Sequence, residues 1–220
     1  MERVKVLKSN LSERAYETIR EMILRLQLKP GERIPEERIS EHIQGSRTPV
    51  REALRRLNEE GLVRSYPGRY SEVAVYDQND IKQIGQLRLA QDILSCNLAI
   101  LNGSNAEFNE LRHLAQECEQ HARSGNIYER IVYDSKFHIK IAEIGKNEML
   151  VQNQINLYMK IHLIQISKYT SIEDSVYQIK NHEDIIEGLY ERDFKKVKAS
   201  LCEHLQSFYN MDPEFIEMFL

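Results

Sequence analysis

Asp134 and His138, in the stretch DSKFH, stand four residues apart and so project from one side of a helix. His182 and His204 lie farther on, each eleven residues from Asp193 in the turn sequence ERDF. Where two antiparallel helices meet at such a turn, equal distances along them bring side chains level, here about 16 Å from it at 1.5 Å per residue. If the helix of Asp134 packs beside them, a carboxylate and three imidazoles can share one point. That donor set suits Zn²⁺, Ni²⁺, Mn²⁺ or Fe²⁺ and not Ca²⁺. Spacing alone does not demand an ion, because a histidine in a helical bundle is more often a plain core or surface residue. His42, His113, His121 and His162 show no comparable partnering.

A second pattern has the opposite charge. In SRTPVREALRRLNEEGLV, residues 46–63, the first eleven positions hold four arginines and one acid, in a chain of formal net charge −4. On a helix, Arg47, Arg51 and Arg55 recur every four residues and share a face with Thr48, while Val50, Ala53, Leu54 and Leu57 fall opposite. A solvated surface helix, the plain alternative, usually mixes its signs. A helix lying in the major groove of double-stranded DNA would use such arginines for bidentate contacts to guanine, and neighbouring Arg and Thr for phosphates.

The elements that must carry these residues are legible in outline. With 220 residues, 41% hydrophobic and 29% charged, the chain can bury a core as one large or two modest domains. Residues 1–76 hold 15 Lys and Arg against 12 Asp and Glu, and residues 77–220 hold 15 against 22. A small basic module joined to an acidic body is expected, cut near Asp77. The basic part reads as helix, helix, helix and hairpin. Ser12 is a candidate cap for the first helix, Pro35 and Gly45 bracket the second, Ser46 or Thr48 caps the third, and the hairpin arms flank PGRY. From Asn79 onward only helical periodicity is evident, over about 79–102, 105–124, 127–144, 147–169, 172–192 and 194–209. Asn79 or Asp80 would cap the first of these helices, and Asp212 with Pro213 would start a short final turn. The short connections predict an antiparallel bundle. The odd set Cys96, Cys118 and Cys202 fits reduced, buried thiols. The N-terminus lacks the apolar stretch of a signal peptide and no apolar run is long enough for a membrane span, so a cytoplasmic protein is expected.

Helix, LKPGERI, helix, SRTPVREALRRLNEEGLV and hairpin together resemble the winged helix-turn-helix of the GntR family of bacterial transcription regulators, over about residues 11–75. The resemblance implies that Arg47 reads bases, that Arg51 contacts base or phosphate, and that Thr48 holds phosphate. Arg55 and the wing residues Gly68 and Arg69 complete the expected DNA-binding set. Two positions depart from the family pattern. Glu37 stands where many relatives carry Arg, and Tyr70 stands where the wing usually has Gly. The resemblance therefore does not fix the operator sequence.

Residues 79–208 resemble the all-helical FCD domain of the FadR-like branch. DSKFH, NHEDII and CEHL match its metal-binding elements in order and spacing, which implies Asp134, His138, His182 and His204 as ligands of a divalent transition metal. Arg88, in QLRLAQDIL, matches an arginine that commonly meets a carboxylate effector, and Asp92 stands where Glu is usual. The expectation is a mainly α protein: a winged helix-turn-helix over 1–76 and a ligand-binding, metal-binding and dimerising helical bundle over 77–220. A homodimer would bind operator DNA, most commonly as a repressor, under control of a small organic acid. Two alternatives are a metal that is itself the signal and a metal that is only structural. A hydrolase is remote, because the sequence has no H-E-x-x-H, no G-x-S-x-G and no glycine-rich phosphate loop.

Overall fold

Apolar periodicity and its interruptions set the element order. The computed structural model describes residues 2–169 and 171–220, with side chains from residue 11 onward. It divides into two compact units, Met1–Val75 and Tyr76–Leu220. No helix among the described residues is long and apolar enough to cross a membrane.

The first unit contains α1 (Glu2–Leu24), α2 (Glu36–His42), α3 (Arg47–Glu59), β1 (Val63–Tyr66) and β2 (Tyr70–Val73). Helix α1 packs on α3, and Ala15, Ile19 and Ile23 of the one and Val50, Ala53, Leu54 and Leu57 of the other are buried. Ser12 does not start α1. No Pro or Gly precedes it to stop the helix, and its hydroxyl instead donates to Glu52 Oε2 of α3 (2.7 Å). The second helix ends before Gly45, and it is Gln44 that takes a left-handed conformation (φ +54°). The strands pair antiparallel, Val63 opposite Val73 and Tyr66 opposite Tyr70. Between them Pro67 and Gly68 form a turn closed by Arg69 N–H to the Tyr66 carbonyl (3.0 Å). Gly68, at φ +71°, occupies the position of a type II turn that requires a positive φ.

The second unit contains α4 (Gln78–Asn102), α5 (Asn105–Arg123), α6 (Ile127–Ile144), α7 (Glu148–Lys168), α8 (Ile172–Ile179), α9 (His182–Glu191), α10 (Phe194–Tyr209) and α11 (Pro213–Glu217). The cap of α4 is Asp77, in a reciprocal capping box with Asp80, rather than Asn79 or Asp80 alone. Tyr76 packs on the helical core, which draws it into this unit. The single helix expected over 172–192 is two helices, parted at Lys180 and Asn181 without a proline or glycine to mark the break. That break makes His182 the first residue of α9. Leu89, Phe137, Ile185, Leu189, Leu201 and Leu205 form the centre of the bundle, and the three cysteines are free and buried.

Gly85 of α4 lies directly beneath Tyr209 of α10, so that a Cβ at this position would overlap the ring. In an open helix Gly→Ala stabilises by about 0.5–1 kcal/mol. Here overpacking costs about 1–3 kcal/mol and reverses the sign. Gly85→Ala is expected to lower the Tm in thermal unfolding; an unchanged or raised Tm would contradict so close an approach of the two helices.

Candidate metal centre and nucleic-acid interface

The i, i+4 spacing on α6 directs Asp134 and His138 inward, α9 opens with His182, and α10 runs antiparallel to it and carries His204. The four residues are no more than 3% exposed. One ligand atom from each lies within 4.8 Å of all the others. The His182 and His204 ring centroids are 5.0 Å apart, and those of His138 and His204 are 5.3 Å apart.

Asp134 Oδ1 is 3.2 Å from His182 Nε2 and 3.9 Å from His138 Nε2, outside hydrogen-bond geometry. Asp134 Oδ1, His138 Nε2 and both nitrogens of His182 and of His204 are buried without hydrogen-bond partners. Buried polar atoms nearly always have partners, so a convergent set of orphans fits a bound cation. The charge states agree with that fit. Burial first, then Arg88, holds the His138 imidazole well below its ordinary pKa. Burial, His182 and Arg88 do the same for His204. Both rings are thus neutral, the form that ligates. Burial alone would raise the Asp134 carboxyl, but His182, Arg88, His138 and Arg130 outweigh it and hold the group well below the usual carboxylate range.

A second layer of groups fixes this arrangement. Asp134 turns Oδ2 away from the histidines, toward Arg88 Nη2 (3.6 Å) and Gln165 Nε2 (3.5 Å). Arg88 is fully buried on α4 beside Asp134. Its Nε donates to Asp92 Oδ2 (3.3 Å) and its Nη1 to the Tyr209 hydroxyl (3.1 Å), leaving Nη2 without a hydrogen bond. Asp92 also accepts from Gln154 (2.8 Å) and from the Tyr158 hydroxyl (3.2 Å). His138 Nδ1 stands 3.3 Å from Asp92 Oδ2, which orients the ring with Nε2 toward the cluster. Burial lifts the Asp92 carboxyl to about 6 against the pull of Arg88 and Tyr158. Sequence reasoning missed Arg130, Gln154, Tyr158, Gln165 and Tyr209. For Arg130 a signal existed, since Arg130, Asp134 and His138 recur at intervals of four.

On α3, Arg47, Thr48, Arg51 and Arg55 are exposed together. Arg56 is drawn to the other side, over the Tyr16 ring (3.7 Å) and against Glu13. Arg47 Nη2 donates to Glu37 Oε1 (2.7 Å) and Arg51 Nε to Glu36 Oε2 (3.2 Å), so α2 supplies a carboxylate to each. Exposed pairs of this kind contribute about 0–1 kcal/mol, little resistance to a polyanion. Arg51, Arg55 and Arg69 line a cavity of about 390 Å³ between α3 and the hairpin turn, and Gly68 is exposed at its rim. Tyr70 is occupied within the hairpin, with Arg33 over its ring at 4.0 Å and Tyr66 at 4.9 Å.

Comparison with known proteins agrees with this division of the chain. Residues 11–73 match the family model "Bacterial regulatory proteins, gntR family", and residues 83–207 match that of the FCD domain. The Uxu operon transcriptional regulator of Escherichia coli (strain K12) is 28% identical, covering 92% of this chain and 89% of its own. The HTH-type transcriptional repressor RspR of the same organism is 23% identical, covering 89% of this chain and 86% of its own. Among solved structures, E. coli McbR/YncC shares the fold at a TM-score of 0.78 and 19% identity, covering 96% of this chain and 99% of that one. These families and relatives are transcriptional regulators, not enzymes. The chain is a member of the gntR family of bacterial regulatory proteins, a DNA-binding transcription regulator whose helical unit is an FCD domain.

Proposed function

We propose that this regulator is a cytoplasmic, metal-containing homodimer, acting as a repressor, whose affinity for double-stranded operator DNA is set by a small organic acid. Residues 1–76 bind DNA, and residues 77–220 bind metal and effector and join the protomers. The observation that carries this reading is the convergence of orphaned, buried ligand atoms beside a guanidinium nitrogen, Arg88 Nη2, that also lacks a hydrogen bond. Asp134, His138, His182 and His204 hold the ion, with Zn²⁺, Ni²⁺ and Mn²⁺ fitting the donor set. When bound, the metal supplies Lewis-acidic positions for a carboxylate oxygen, and Arg88 supplies a charged hydrogen bond to the same group. Repression is the pattern named for RspR.

In the first unit, Arg47 reads a base, Thr48 and Arg55 hold phosphates, Arg51 serves either, and Gly68 and Arg69 carry the wing to the duplex. Self-association is supported by an apolar stripe on α4. Leu87, Leu94 and Leu101 recur every seven residues and are 50%, 46% and 70% exposed, with Met149 and Ile155 exposed on the adjoining α7. Two such faces can bury one another in an isologous interface, and a dimer presents two winged units to two half-sites.

A second reading makes the metal structural or itself the signal. The nearly complete burial of its four ligands favours a staple over an open platform.

Arg47→Ala is expected to lose about 1–3 kcal/mol of operator affinity in an anisotropy titration at fixed salt. Unchanged affinity would remove Arg47 from base reading. Loading with Zn²⁺ or Ni²⁺ should raise the Tm of the wild type, by about 2.7 kcal/mol of stability at a hundredfold excess over Kd, and not that of His204→Ala. A carboxylate screen on metal-loaded protein should then give further shifts that Arg88→Ala abolishes. Operator binding that follows metal and ignores every acid would establish the second reading. Leu94→Glu is expected to sediment as a monomer while keeping the helical circular dichroism of the wild type; a dimer would move the interface elsewhere.

A further inference from the structure

The four Asp, Glu, Lys or Arg side chains buried among the described residues are Arg88, Asp92, Arg130 and Asp134, and all belong to one cluster around the imidazoles. Arg130 is on α6, one turn before Asp134, and is 0% exposed. Unlike Arg88, it hydrogen-bonds among the described residues only to neutral oxygens. Its Nη1 donates to Gln165 Oε1 (3.0 Å) and its Nη2 to the Ser175 carbonyl of α8 (3.4 Å). Its guanidinium lies over the Tyr169 ring (4.5 Å), and its Nε is without a hydrogen bond. Ser175 Oγ nearby is buried and unpartnered as well. Gln165 bridges the site, accepting from Arg130 and offering its amide to Asp134 Oδ2. A surface cavity of about 290 Å³ beside α8 reaches His182 past Val176 and Ile179.

The charges of this cluster sum simply. Two guanidinium groups balance two carboxylates. A divalent ion held there then leaves two positive charges in excess, in a place where uncompensated charge is costly. A monocarboxylate cancels one of them and a dianion cancels both. We infer that Arg130 anchors a second anionic group of the effector, so that the acid sensed is a dicarboxylate, held at one end by the metal and Arg88 and at the other by Arg130. This rests on the acid-sensing reading above and narrows it to a chemical class.

The test is calorimetric titration of the full chain loaded with Zn²⁺. Malonate, succinate and glutarate are compared with propionate, butyrate and valerate, which match them in carbon number. At least one diacid should bind about 30-fold or more tightly than its partner, the loss that removing one member of a buried charge pair produces. Arg130→Met should erase that preference, and Arg130→Lys should retain part of it. If Arg130→Met fails to fold, the wild-type ratio together with Arg130→Lys decides. Equal affinities for diacids and monoacids in the wild type would overturn the inference and leave acid sensing standing. Inorganic phosphate binding more tightly than every diacid would overturn it in favour of a phosphoryl group. No heat with any acid would end both readings.

Discussion

The second unit is organised around the cost of placing charge where water cannot reach. A carboxylate stripped of solvent becomes protonated or finds compensation, and Asp134 does the latter on two sides. Its Oδ2 faces Arg88 and Gln165, and its Oδ1 faces His182 and His138. Arg88 helps keep it ionised and, after burial, helps keep His138 and His204 neutral. Burial and one guanidinium thus prepare Asp134, His138 and His204 in the form in which they can hold a cation.

Helix geometry delivers that arrangement. Residues four apart on α6 set Arg130, Asp134 and His138 along one face, and the antiparallel α9 and α10 bring His182 and His204 level. Arg88 reaches the cluster because α4 passes close to α10, which Gly85 permits beneath Tyr209, the residue whose hydroxyl accepts from Arg88. Close packing at one point and a buried polar contact one turn later are therefore the same structural feature. A change in the distance between α4 and α10 would move the guanidinium and, with it, the compensation of Asp134.

How much of this was legible in the sequence depends on range. The arginine face of α3 and the pair Asp134 and His138 are local i, i+4 patterns, and the level of His182 with His204 follows from counting out of one turn. The break at Lys180 and Asn181 was hidden because no Pro or Gly marks it and the apolar period runs through it. Ser12 and Gly45 misled for a related reason. A capping residue and a helix stop are permissive signals, and the contact of Ser12 with Glu52 across 40 residues overrode the first. Tyr158, Gln154 and Gln165 were out of reach, since α7 bears nothing in its own pattern that says which helix its polar residues will face.

The acids of α2 give the departure at Glu37 a physical meaning. An arginine in its place would add to the field that draws in any phosphate, sequence aside. Glu37 and Glu36 instead hold Arg47 and Arg51, and Arg55 keeps the cavity beside the wing positive. On the reading proposed here, a phosphate approaching the helix meets carboxylates as well as guanidinium groups, which lowers the return on contact with arbitrary DNA. A guanine edge offers two acceptors in the fork geometry of arginine and can draw Arg47 from an exposed pair that contributes at most about 1 kcal/mol. The pair therefore costs little at the correct base and subtracts from attraction everywhere else. That is how a unit with only a small excess of basic residues can favour sequence over bulk charge.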